Sequence, residues 1–90
     1  ETISALSVEG RMTLCNMAVE AGARGAIIAP DAKVFDYIYG KPQMPAGELW
    51  QQALQEWSQL SSDADAVFDK TVTIDCLDLE PKVTWGISPD

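Results

Sequence analysis

Histidine is missing from all 90 residues of the chain. Imidazole general-base chemistry and histidine-ligated zinc are therefore outside what it does unaided. Cysteine is scarce: Cys15 and Cys76 stand 61 positions apart, which leaves no short metal-ligand spacing and makes buried free thiols the expectation. Cations are few. Six Lys and Arg, scattered from Arg11 to Lys82, stand against 14 Asp and Glu, for a formal charge of -8. Nucleic acid and anionic membrane surfaces call for clustered positive charge, so no nucleic-acid or membrane partner is expected, and the acidity is assigned to solubility. No apolar run approaches the roughly 18 residues of a membrane-spanning helix. The opening "ETISALSVEGR" lacks the basic and then apolar blocks of a signal peptide, and the expected location is cytoplasmic. There is no G-x-S-x-G nucleophile elbow, and "GARG" at 22–25 is too little for a phosphate loop.

What is present is the composition of a folded chain, 47% hydrophobic and 22% charged, long enough for one small core but not for an elaborate cleft. Ile3 and Leu6 suggest the tail of a helix. Ser7 suits the cap of the next one, with Glu9 in its first turn, and that helix is predicted from about 8 to 21 with Gly22 as a left-handed stop. Residues 26–29, a continuous apolar run closed by Pro30, read as a short buried strand. Asp31 suits the cap of a further helix in which Val34, Phe35, Ile38 and Tyr39 share one side before Gly40. After a connector, with Pro45 suited to a first turn, Leu49, Trp50, Ala53, Leu54, Trp57 and Leu60 recur at spacings of three and four. That is the strongest amphipathic signal in the chain. Alternation over 71–76 and the stretch 82–86 read as strands. The expected fold class is α/β, a short open sheet flanked by helices, with residues 1–90 as a single α/β domain.

One helical face stands out. At about 100° per residue, Glu9, Thr13, Asn16 and Glu20 fall within an arc of roughly 60°, while Met12, Leu14, Cys15, Met17, Ala18 and Val19 fill much of the rest. Periodicity leaves two readings open. The stripe is the solvent face of an amphipathic helix, which is the plainer reading, or Asn16 and Glu20 project together into a cleft. An amide and a carboxylate on successive turns can jointly orient a hydroxyl or a water. Trp50 and Trp57 read as core or domain-interface residues. Asp63, Asp65 and Asp69 read as solvated loop charge, since they lack the glycine and distal glutamate of a calcium loop. The three methionines read as packing residues.

"LSVEGRMTLCNMAVEAGARGAIIAPD", then "VFDYIYGKP" and "AVFDKTVTIDCLDLEPKVTWGISPD", closely resemble the large subunits of the isopropylmalate dehydratase family, in the aconitase superfamily. The resemblance covers essentially the whole chain. "CNM" followed by Glu and "GA" belongs to the superfamily at large, whereas "RMTLCNMAVEAGA" with "IAPD" and "VTWG" points to the isopropylmalate branch. Lys41 stands where Arg is common and Ile87 where Thr is common. Neither change touches the Asn and Glu.

The resemblance implies an internal piece of a larger multidomain subunit of a hydro-lyase that interconverts 2-isopropylmalate and 3-isopropylmalate in leucine biosynthesis. It implies a 4Fe-4S cluster in the full-length enzyme, whose open iron serves as a Lewis acid toward the substrate hydroxyl. The cluster cysteines and the serine base lie elsewhere, a small subunit completes a heterodimer, and the substrate is a small hydroxy-dicarboxylate. Asn16 resembles the amide near the bound substrate, and Glu20 the carboxylate that contacts its hydroxyl or a water. Those two are the expected catalytic residues. Cys15 is similar to a packing cysteine, so no cofactor-binding or metal ligand is expected among these residues, and the chain alone is expected to be inactive. A related hydratase of homoaconitate, citramalate or citrate, or a standalone acidic interaction domain, are the alternatives. Asn16 and Glu20 are expected to be exposed.

Overall fold

The computed structural model describes residues 1–87. A four-residue helix, α1 (Thr2–Ala5), leads into α2 (Val8–Met17). Ser7 makes that junction: its extended backbone breaks the first helix, and its Oγ accepts from the Gly10 N–H at 3.1 Å. The cap satisfies one of the donors that a helix start otherwise leaves unpaired. Asp31 does the same for α3 (Ala32–Ile38), accepting from the N–H groups of Lys33 and Val34. α4 (Glu48–Trp57) starts differently, from Gly47 at φ +60° with no side-chain cap. Pro45 lies just before it instead of within its first turn.

Regular α-helix ends earlier in α2 than the periodicity predicts. The Ala18 N–H still reaches back four residues to Leu14, but Glu20 and Ala21 donate only three back, to Met17 and Ala18. Gly22, at φ +92°, donates to the Val19 carbonyl at 2.9 Å, and Ala23 donates to Ala18 at 3.1 Å. That pair of bonds is a Schellman closure, which needs a residue in the left-handed region where glycine has no steric penalty. Gly22 is therefore the stop expected of it, and the tightened last turn is how the chain reaches it.

The apolar core lies where α4 meets α3. Trp50 is 6% exposed and Ala53 is buried one turn on, with Trp57, Phe35 and Ile38 half-buried. Trp50 packs edge-on to Tyr39 at 5.0 Å and to Trp57 at 6.0 Å between ring centroids, and Phe35 stacks on Trp57 at 6.4 Å. Burying a ring of this size is worth roughly 4 kcal/mol, and each aromatic pair adds about 1 kcal/mol. Of the residues spaced by three and four, Trp50, Ala53 and Trp57 thus turn inward, while Leu49 and Leu60 stay exposed. Trp57 stays half-buried, so part of this aromatic surface is left to face outward.

The expected sheet does not form. Among the described residues there are four helices and no strand. Residues 26–29, 71–76 and 82–86 carry no ladder: Ile27 is 96% exposed, Val83 82% and Trp85 89%, with Val72 and Ile74 exposed as well. A strand is completed by the main chain of a neighbour, and two short apolar segments without a covered face do not hold together in water. Alternation marks which side chains a strand would bury; it supplies no partner. Among the described residues Trp50 and Ala53 are the buried apolar ones, and the radius of gyration is 16.4 Å against about 12 Å for a compact chain of this length. No described helix is long and apolar enough to cross a membrane.

Candidate functional site

The centre of the α1–α2–α3 junction is a cation. Arg11, on the second turn of α2, is 4% exposed, and each of its guanidinium nitrogens donates: Nη1 to Asp31 Oδ1 at 2.8 Å, Nη2 to the Ser4 carbonyl at 3.0 Å, Nε to the Leu6 carbonyl at 3.3 Å. Lys33 adds a bond from Nζ to the Ala5 carbonyl at 3.0 Å. The carbonyls at the end of α1, which the helix itself leaves unpaired, are thus taken up by two of the chain's six cations. The hydrogen bond from Arg11 is the main influence holding the Asp31 carboxyl below its ordinary value, with the cap N–H groups acting in the same direction and burial opposing. The same bond holds the Arg11 guanidinium above its ordinary value.

Beside this junction runs a groove of about 300 Å³ lined by Val8, Arg11, Met12, Cys15, Asn16, Ile28 and Val34. α2 forms one wall; Ile28 and Val34, on either side of Asp31, form the other. Ile28 is half-buried against α2 while Ile27 is exposed. Asn16 sits on the groove's exposed rim and offers two donors and an acceptor. Thr13, a turn before it, turns its hydroxyl back onto the Glu9 carbonyl at 3.1 Å. That bond occupies Thr13 with its own helix.

Glu20 is exposed too, but it is not part of the groove wall. Both expected site residues are accessible, but Asn16 lines the groove and Glu20, in the tightened turn past the end of α2, does not. Arg11 and Asp31 were not read as site residues from the sequence. They are 20 positions apart, and a single Arg and a single capping Asp carry no local sign of each other. The available signal was indirect: a cation in the middle of a helix that is otherwise apolar and acidic.

The donor set does not suit an iron–sulfur cluster. A cluster is held by three or four thiolates, whereas this chain has Cys15 and Cys76, both free and half-buried, with Cys15 packed in the groove wall. Among the described residues no three His, Cys, Asp or Glu side chains are grouped to hold a metal ion.

The model of the aconitase family (aconitate hydratase) matches residues 1–90. The chain belongs to the aconitase family. It is 92% identical over its whole length to the "3-isopropylmalate dehydratase large subunit 2" of Salmonella choleraesuis (strain SC-B67), and equally to that of Salmonella typhimurium (strain LT2). It is 67% identical, again over all 90 residues, to the "3-isopropylmalate dehydratase large subunit 1" of Mannheimia succiniciproducens. In each case it spans 19% of the relative's length. No solved structure matches it.

Proposed function

We propose that this chain is an internal piece of a larger multidomain subunit, the large subunit of a cytoplasmic 3-isopropylmalate dehydratase. The assembled enzyme is a hydro-lyase that interconverts 2-isopropylmalate and 3-isopropylmalate in leucine biosynthesis. The observation that carries the reading is the 92% identity, without a gap in coverage, to large subunits bearing that name. The 4Fe-4S cluster of such an enzyme rests on thiolates outside residues 1–90, and a small subunit completes the heterodimer. What these residues contribute is polar contact. Asn16, from the groove rim, donates to a carboxylate or hydroxyl of a small hydroxy-dicarboxylate and can accept from the hydroxyl, and Glu20 accepts a hydrogen bond from a substrate hydroxyl or a water.

The test is turnover by the full-length, cluster-loaded large subunit with its small subunit, across isopropylmalate, homoaconitate, citramalate and citrate. Isopropylmalate is expected to have the highest kcat/KM, and a clear preference for another acid overturns the substrate reading. Asn16→Ala and Glu20→Gln are each expected to lower kcat about 100-fold or more. The 90-residue chain by itself is expected to show no turnover.

A further inference from the structure

Three pieces of the chain meet at Arg11 and Asp31: the end of α1, α2 and the start of α3. A buried guanidinium is costly unless its charge and its N–H groups are all answered, and here they are answered by the end of α1 and the start of α3 together. The planar fork fixes direction as well as distance. Asp31 Oδ1 has two tasks, since it also accepts from the N–H groups of Lys33 and Val34. Arg11 therefore cannot shift without disturbing the cap of α3.

The same link borders the groove. Arg11 and Asn16 lie five residues apart on one wall, and Ile28 and Val34, the opposite wall, flank Asp31 by three residues on each side. The link at 2.8 Å joins the two walls. We propose that the Arg11–Asp31 pair is a positioning device for Asn16, holding α2 against the 28–34 wall so that the Asn16 carboxamide sits at one fixed place on the groove rim. The pair acts on turnover through Asn16 and does not itself touch the reacting atoms. For what the site does, this rests on the dehydratase reading; for the geometry, it does not.

The experiment uses the full-length large subunit assembled with its small subunit and carries Arg11→Met, Arg11→Lys and Asp31→Asn, each with and without Asn16→Ala. Asp31→Asn keeps an acceptor to cap α3 but removes the charge facing Arg11. Arg11→Lys keeps the charge but loses the fork. Arg11→Met is expected to lower kcat about 10- to 100-fold, the scale of a small misplacement of a reacting group, with KM moved less than kcat and little rescue by Arg11→Lys. Asn16→Ala is expected to cost a much smaller factor in the Arg11→Met background than in the wild type, because residues acting as a unit are not additive. Factors that simply multiply would overturn the proposal and leave Arg11 as a structural tie. In the same proteins, amide exchange across Val8–Met17 and Ala32–Ile38 is expected to rise while Glu48–Trp57 holds; unchanged exchange in the first two overturns the proposal whatever the activity. If the wild-type enzyme does not act on isopropylmalate, the functional reading falls and the exchange pattern decides the positioning role. Should Arg11→Met fail to fold, Asp31→Asn makes the same comparison.

Discussion

α2 and α4 are each ten residues long, and they meet the solvent in opposite ways. α4 is strongly amphipathic and puts Trp50 and Ala53 inside, with Trp50 against the ring of Tyr39 at the end of α3 and Trp57 against Phe35 within it. α2 has almost no amphipathic bias. Its one buried residue is a cation, while Met12 and Leu14 are each 45% exposed and Met17 is 53% exposed. The difference shows two ways of fixing a helix. Apolar periodicity fixes α4 through area, a non-directional force that any nearby apolar face can satisfy. α2 is fixed through bonds, which demand particular atoms in particular directions and leave its apolar and polar sides facing outward. A helix held by its buried Arg keeps its rim free for ligands; a helix held by its tryptophans does not.

The sharpest way to break this comparison is to remove the anchor of the apolar helix. Trp50→Ala is expected to cost about 3–5 kcal/mol of local stability, as for other buried aromatics cut back to a methyl group. Amide exchange in the full-length protein should rise across Ala32–Ile38 and Glu48–Trp57 and stay unchanged across Val8–Met17. If α2 loosens equally, the two helices belong to one cooperative unit and the contrast is lost. A smaller effect is expected at the end of α2. Gly22→Ala places a side chain at φ +92°, a cost of about 1–2 kcal/mol. It should fray the turn that carries Glu20 and lower turnover of the assembled enzyme while leaving α4 untouched; unaltered kcat would mean that the placement of Glu20 does not depend on the Schellman closure.

The mildest perturbation is acid. Asp31 has its carboxyl held below the ordinary value of 3.8, chiefly by Arg11. A group lowered on folding contributes stability that is complete above its unfolded value and is lost as pH falls through its folded value. The α2–α3 link should therefore hold at neutral pH and weaken only below about pH 4. Arg11, shifted upward, stays charged throughout that range. Protection factors taken between about pH 5 and pH 3 should fall first in Val8–Met17 and later in Glu48–Trp57. A simultaneous loss would remove the distinction between bonded and packed helix.

The helices were legible because their signals are local. Ser7 and Asp31 cap the turns that follow them, Gly22 takes the positive φ that closes α2, and the Trp50–Trp57 spacing puts both rings on one side of α4. The strands at 26–29, 71–76 and 82–86 were misread because their evidence was half of a pair. An alternating run such as Val72, Ile74 and Cys76 describes a face, and pairing depends on a second main chain that the pattern does not supply. The site was legible in part. Asn16 and Glu20 are both exposed as expected, yet only Asn16 borders the groove, and Glu20 falls in the tightened turn past Met17 that the bonds of Gly22 and Ala23 close.

By itself the sequence determined the caps that start α2 and α3, the glycine that closes α2, which helix is apolar on one side, and, through its likeness from end to end, the family. The reason is that caps, φ preferences and 3.6-residue spacing act over a few neighbours. Only the tertiary structure decided that Arg11 is buried, that it finds Asp31 across 20 positions, and that a groove lined by Asn16 runs beside the pair. Those facts depend on bonds whose partners are brought together by the path of the chain, and a bond's direction is not written in either partner's local sequence.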